Sequence, residues 1–65
     1  MHPLTNQEIR IGFREMTQTG DKFQKKLGLA GLYADDHNRA RIYLAFKAEV
    51  HQYFEKSKQT KGEAE

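Results

Sequence analysis

The stretch DHNRARIYLAFKAEVHQYFEKSK, residues 36–58, decides the predicted fold. At roughly 100° per residue, most of its large apolar residues fall on a stripe about 120° wide along an α-helix. These residues are Ile42, Tyr43, Phe46, Val50, Tyr53 and Phe54. The stretch therefore predicts one long amphipathic helix from Asp36 to Lys58, with Asp35 and Asp36 supplying its N-terminal cap.

The residues before this stretch predict a first helix with a well-marked start. Thr5 and Glu8 have the spacing of a capping box, in which each side chain binds the backbone N–H of the other residue. Residues with the i, i+3, i+4, i+7 spacing of one helix face follow. They are Ile9, Gly12, Phe13 and Met16. We expect this helix to end near Gln18, with Gly20 as a left-handed C-terminal cap.

A second helix is predicted to start after Asp21, a good N-cap residue. Gly28 and Gly31 interrupt it, because each glycine costs about 1 kcal/mol relative to alanine inside a helix. We therefore expect a short helix over residues 22–27 and an apolar connector over residues 29–33. The alternative is a helix that continues to residue 33.

Together these elements predict an all-α fold, a three-helix domain in which a short-loop helical hairpin precedes the long C-terminal helix. The domain is expected over residues 1–57. Residues 58–65 are expected to form a polar, frayed tail, because they carry no large apolar anchor. The core is expected where the apolar stripe meets the first two helices. The core residues predicted on those two helices are Ile9, Phe13, Met16, Phe23 and Leu27.

Length and composition limit how such a domain is stabilised. A chain of 65 residues buries little surface, and without cysteine it has no disulfide or thiolate metal site to compensate. We therefore expect a homodimer.

The formal net charge of +2 is far from the basic excess of a dedicated nucleic-acid arm. A cytoplasmic protein without membrane contact is expected, because no apolar run suits a membrane span and the N-terminus does not resemble a secretory signal.

No arrangement of residues in the sequence predicts a catalytic site or a metal site. His2, His37 and His51 lack the i, i+3 or i+4 spacing with which helical histidines chelate a metal. The single serine, Ser57, has no histidine or acid suitably near in sequence to activate it. We therefore expect a protein that is not an enzyme and that binds neither a metal nor a cofactor.

Basic residues cluster on both predicted N-terminal helices and suit an acidic protein or a nucleic-acid backbone. Because helix, connector and helix follow one another between Phe23 and Phe46, a helix-turn-helix-like arrangement is the alternative reading. The predicted contacts to a partner or to nucleic acid are Arg10, Arg14, Lys22, Lys25, Lys26, Arg39 and Arg41.

Two apolar residues, Leu44 and Ile11, point away from the predicted core. Small residues beside Leu44 would let a second helix approach closely. The predicted interface comprises Ile11, Ala40, Leu44, Ala48 and His51. The leading hypothesis is therefore a self-associating regulatory module that binds an unidentified protein. The alternative is a small nucleic-acid-binding regulator that uses the basic faces of the first two helices.

Overall fold

The computed structural model describes the backbone of residues 3–64 and the side chains of residues 3–59. All regular secondary structure in that range is α-helical. The helices are α1 (Asn6–Thr19), α2 (Lys22–Tyr33), α3 (Asp36–Ala45) and α4 (Lys47–Ala64). The predicted all-α fold is confirmed. The prediction of three helices is wrong, because the C-terminal stretch forms two helices rather than one.

The long C-terminal helix breaks at Phe46, whose backbone angles are φ −124° and ψ 36°. Backbone hydrogen bonds continue on both sides of the break. The Phe46 N–H donates to Ile42 O, and the Val50 N–H donates to Phe46 O, each over 3.0 Å. No proline or glycine stands between residues 36 and 58, so the usual sequence signals of a kink are missing.

The capping box at the start of α1 is confirmed. The Glu8 N–H donates to Thr5 Oγ1 over 3.2 Å, and the Thr5 N–H donates to Glu8 Oε1 over 2.9 Å. The end of α1 differs from the prediction. Gly20 has φ −79° and ψ 170°, so it caps the helix in an extended conformation and not in the left-handed one. Its N–H donates to Met16 O over 3.0 Å.

Helix α2 begins at the predicted cap but continues to Tyr33, so the short helix with an apolar connector is wrong and the longer alternative is correct. The two glycines do not end the helix because they lie where α2 contacts α1. A Cβ atom on Gly28 would stand 2.5 Å from the Phe13 carbonyl oxygen. A Cβ atom on Gly31 would stand 2.5 Å from the Phe13 ring. The glycines therefore allow the two helices to approach closely.

The core lies around α1, which packs against both α2 and α4. Its buried apolar residues are Leu4, Ile9, Phe13, Met16, Tyr43, Val50, Tyr53 and Phe54. Leu27 and Ile42 pack against this cluster but stay partly exposed. Phe23 was expected in the core and is instead 58% exposed, with its ring 5.9 Å from that of the half-buried Phe46.

Arg39 connects α3 to the end of α2. Its residue exposure is only 6%, and its guanidinium donates to three backbone carbonyls. These are Gly31 O at 2.8 Å, Leu32 O at 3.4 Å and Ala34 O at 2.5 Å. The Nη1 atom also lies 2.8 Å from Asp36 Oδ1. A cation at the C-terminal end of a helix satisfies its last carbonyls and is stabilised by the helix dipole. Arg39 is therefore part of the scaffold.

The predicted polar tail, residues 58–65, lies mostly outside the described side chains. Helix α4 runs to Ala64, and side chains are described up to residue 59. The domain boundary at residue 57 therefore stays a prediction.

Candidate functional site

One candidate surface is the side of α2 that points away from α1. Lys22, Lys26, Leu29 and Tyr33 follow at i, i+4, i+7 and i+11, which places them along one line on the helix surface. We call these four residues the α2 face. At roughly 100° per residue, this line lies almost opposite Gly28 and Gly31, which contact α1. The α2 face is therefore presented to solvent by the same packing that buries the glycines.

The α2 face exposes apolar surface. Tyr33 is 85% exposed and Leu29 is 44% exposed. Exposed apolar residues are common one at a time, but an exposed tyrosine directly beside an exposed leucine forms a small patch that can be buried by a partner. Phe23 adds further exposed aromatic surface at the start of the same helix.

The charge of α2 is entirely positive. The helix contains Lys22, Lys25 and Lys26 and no acidic residue. Among the described residues, none of these lysines forms an ion pair. The nearest carboxylate in the sequence, that of Asp21, accepts a hydrogen bond from the Gln24 N–H at the helix cap. The exposed lysines are therefore available to an acidic partner.

A second candidate surface is an open groove of about 560 Å³ between α1 and the turn that joins α2 to α3. We call it the α1 groove. Its lining residues are Asn6, Gln7, Arg10, Ile11, Arg14, Leu32 and Asp36. Arg10 and Arg14 are exposed and separated by one helical turn, whereas Ile11 and Leu32 are half-buried and pack on the core.

The predicted basic contacts separate into different places. Arg10 and Arg14 line the α1 groove, and the lysines lie on α2. Arg41 is exposed on α3, where it borders a shallow depression with Ile42 and Phe46. Arg39 is buried, and its donors are held by α2 carbonyls and by Asp36, so it is not part of any contact set proposed below.

The predicted interface residues do not form one surface. Ala40 and Leu44 are exposed one turn apart on α3, and Leu44 is 69% exposed. Ala48 is exposed beyond the break at Phe46. Ile11 lies in the α1 groove, and His51 is buried.

His51 is buried because its ring faces Tyr43 across the break between α3 and α4. Tyr43 Oη and His51 Nε2 are 2.6 Å apart, and the two ring centroids are 5.7 Å apart. In a straight helix, residues eight apart would be separated by about 12 Å along the axis. The turn at Phe46 therefore brings these two rings together, and His51 serves the interior of the fold.

A second polar contact, which is partly buried, joins α4 to the cap of α2. The Tyr53 hydroxyl donates to Gln24 Oε1 over 2.6 Å, and the same oxygen accepts from the Asp21 N–H over 3.2 Å. Burial raises the pKa of Tyr53 above its usual value of 10.0, and the nearby negative charges of Asp21 and Glu15 raise it further. Tyr53 is therefore held protonated as a structural donor.

Sequence reasoning missed the apolar half of the α2 face and part of the α1 groove. The sequence predicts a connector over residues 29–33, and a connector does not align Leu29 and Tyr33 with the lysines. The alternative prediction, a helix that continues to residue 33, places Leu29 and Tyr33 on the same line as the lysines. Leu32, Asn6 and Gln7 carry no signal of their own, because the groove exists only once α2 packs on α1.

No group of three or more histidine, aspartate or glutamate side chains that could hold a metal is found among the described residues. Within that part of the chain, no helix combines the length and the apolar character that a membrane span requires. Comparison with protein families, with curated proteins and with solved structures finds no match for this chain. The α2 face and the α1 groove are therefore the features from which a function can be inferred.

Proposed function

We propose that this chain is a small, non-enzymatic regulatory module that binds an acidic segment of another protein through the α2 face. The observation that carries this proposal is the alignment of Lys22 and Lys26 with Leu29 and Tyr33 on one exposed line of a helix. The apolar half supplies surface to bury, and the basic half selects the charge of the partner.

The chemistry of the α2 face suits a protein partner. Tyrosine is enriched among the residues that dominate binding energy, because its large rigid ring buries much surface at a small entropic cost. Lysines at the rim of an interface mainly accelerate encounter and set specificity. Because α2 has 12 residues, it is roughly 18 Å long, which matches a short helical or extended segment.

Nucleic acid is the weaker candidate because of the charges at the start of α3. In a helix-turn-helix, the N-terminal residues of the second helix approach the DNA. Here those residues include Asp35 and Asp36, which are exposed and would repel phosphates. Arg39, the nearest arginine, is buried and bound to α2 carbonyls. The remaining basis for this alternative is the exposed basic side chains of α1, α2 and α3, which are Arg10, Arg14, Lys22, Lys25, Lys26 and Arg41.

Self-association is proposed through α3 and not through α2, because an interface between two α2 faces would bury lysines of both copies with no acidic residue on either helix to pair with them. Leu44 and Ala40 offer an uncharged exposed strip on α3. Sedimentation at tens of micromolar chain tests this part of the proposal. We expect a dimer for the native chain and a monomer for Leu44→Glu, whereas a monomeric native chain would remove self-association from the proposal.

An affinity capture from the native cell tests the proposed partner class. The native chain is compared with Lys26→Glu and Tyr33→Ser, in parallel samples with and without nuclease. Lys47→Glu is the matched control, because it makes the same charge change at an exposed lysine on α4. We expect capture of an acidic protein that resists nuclease, persists in the control and is lost in both α2 variants.

Two outcomes of this capture would contradict the proposal. Loss of the captured protein on nuclease treatment would support the nucleic-acid alternative. Equal loss in Lys47→Glu and Lys26→Glu would show that net charge matters and the α2 face does not.

A further inference from the structure

The α1 groove carries a second inference, which is independent of the α2 face. We propose that the α1 groove binds a small organic anion, with an oxyanion head group held by Arg10 and Arg14 and a short apolar body against Ile11 and Leu32. All of these residues line the same groove.

The two arginines supply the recognition of the head group. Arg10 and Arg14 lie at i and i+4 on α1, so their Cβ atoms are about 6 Å apart on one side of the helix. Among the described residues, neither guanidinium has a hydrogen-bond or ion-pair partner. Planar guanidinium groups match the two oxygens of a carboxylate or the oxygens of a phosphate monoester.

Asp36, the only acidic residue among the described residues that line the groove, does not cancel this charge. Asp36 Oδ1 lies 2.8 Å from Arg39 Nη1. Arg39 is fixed in turn by the carbonyls at the end of α2. Asp36 is therefore already paired with a buried arginine, and Arg10 and Arg14 give the groove a net positive charge.

The rest of the groove suits an apolar body of limited size. Ile11 and Leu32 are half-buried and anchored to the core, so they form a fixed apolar floor. The side-chain amides of Asn6 and Gln7 add donors and acceptors at the edge. A volume of about 560 Å³ lies within the range of small-molecule sites, roughly 300–1,000 Å³.

Amide chemical-shift titration of the full chain with defined probes tests this inference. The probes are hexanoate and hexyl phosphate, which share the apolar body and differ in the source of the oxyanion. Hexanol is the uncharged control, and inorganic phosphate is the control without an apolar body. We expect saturable shifts at the groove residues with at least one of the organic anions, and the tighter probe identifies the head group.

Charge-neutral variants locate the site. Arg10→Gln and Arg14→Gln are expected to weaken binding by about tenfold each, because each removes a charge-assisted hydrogen bond. Arg41→Gln is the matched control on α3 and should bind as tightly as the native chain. Both groove arginines are exposed, and thermal unfolding of each variant confirms that it folds.

Several results would overturn the inference. These are the absence of saturable shifts with both organic anions, an equal response to hexanol, or unchanged affinity in the Arg10→Gln/Arg14→Gln double variant. Equal affinity for inorganic phosphate and hexyl phosphate would also overturn it, because the apolar floor would then contribute nothing.

Discussion

Replacing Gly31 by alanine tests whether glycine holds α2 against α1. On helix propensity alone, Gly31→Ala should stabilise the protein by about 1 kcal/mol. The structure predicts the opposite. The added Cβ would stand 2.5 Å, 2.5 Å and 2.6 Å from the Cδ2, Cγ and Cδ1 atoms of Phe13. Phe13 is fully buried, so its ring has no open space into which it can turn.

The magnitude follows from these two opposing effects. Overpacking a close-packed core costs about 1–3 kcal/mol, and three simultaneous ring contacts place this site at the upper end. Subtracting the gain in helix propensity leaves a net destabilisation of about 2 kcal/mol. For a domain of this size, that loss lowers the unfolding midpoint by roughly 8–16 °C.

Thermal and urea unfolding of four variants measures the effect, and these are Gly31→Ala, Phe13→Leu, their double variant and Ala30→Gly. Ala30→Gly, at an exposed position of the same helix, measures how much glycine destabilises α2 relative to alanine where no tertiary contact is involved. It should lower the free energy of unfolding by about 1 kcal/mol. The double variant Phe13→Leu/Gly31→Ala should lose less stability than the sum of its single changes, because the smaller side chain removes the ring contact. A Gly31→Ala variant that is more stable than the native chain would refute the reasoning.

Two further predictions concern the polar contacts between helices. Arg39→Lys should destabilise the protein by roughly 2–3 kcal/mol in urea unfolding, because one ammonium cannot reach the three carbonyls that the guanidinium satisfies, whereas the exposed Arg41→Lys should cost under about 0.5 kcal/mol. Equal losses in the two variants would contradict the assigned role of Arg39. The raised pKa of Tyr53 means that the folded state keeps a proton that the unfolded state loses near pH 10. Stability from this group is therefore complete below that pH and is lost as pH rises through the folded-state pKa. Tyr53→Phe should weaken this alkaline loss in unfolding measured from pH 7 to 11, and an unchanged pH dependence would exclude Tyr53 as its source.

The local signals in the sequence predicted local structure well. The capping box at Thr5 and the N-cap residue Asp21 mark the starts of α1 and α2, because a cap depends only on residues within one turn. The apolar stripe of residues 42–54 supplies Tyr43, Val50 and Tyr53 to the core, because its periodicity survives the break.

Features that depend on contact between helices could not be predicted in this way. Gly28 and Gly31 suggested an interruption, since the propensity cost is visible in the sequence and the compensating contact with α1 is not. No proline or glycine lies near Phe46, so the sequence does not predict the break there. Arg39 looked like a surface contact because the carbonyls that bind it belong to the end of α2, a helix end that the prediction placed elsewhere.

The candidate site likewise combines local features that the sequence predicts with contacts between helices that it does not predict. The basic residues were visible as clusters, but the α2 face requires that α2 continue to Tyr33, and the α1 groove requires Leu32 to pack beside Ile11. The packing of two helices, and not any single motif, creates both surfaces.

Site-specific photocrosslinking at position 33 in the native cell tests the central claim most directly. Tyr33 is replaced by a photoreactive benzoylphenylalanine, which keeps an exposed aromatic ring on the α2 face. The control carries the same group at Gln52, an exposed residue of α4. We predict a discrete adduct with an acidic protein from position 33 and none from position 52. The absence of an adduct at position 33, the same adduct at both positions, or an adduct that nuclease destroys would contradict the account.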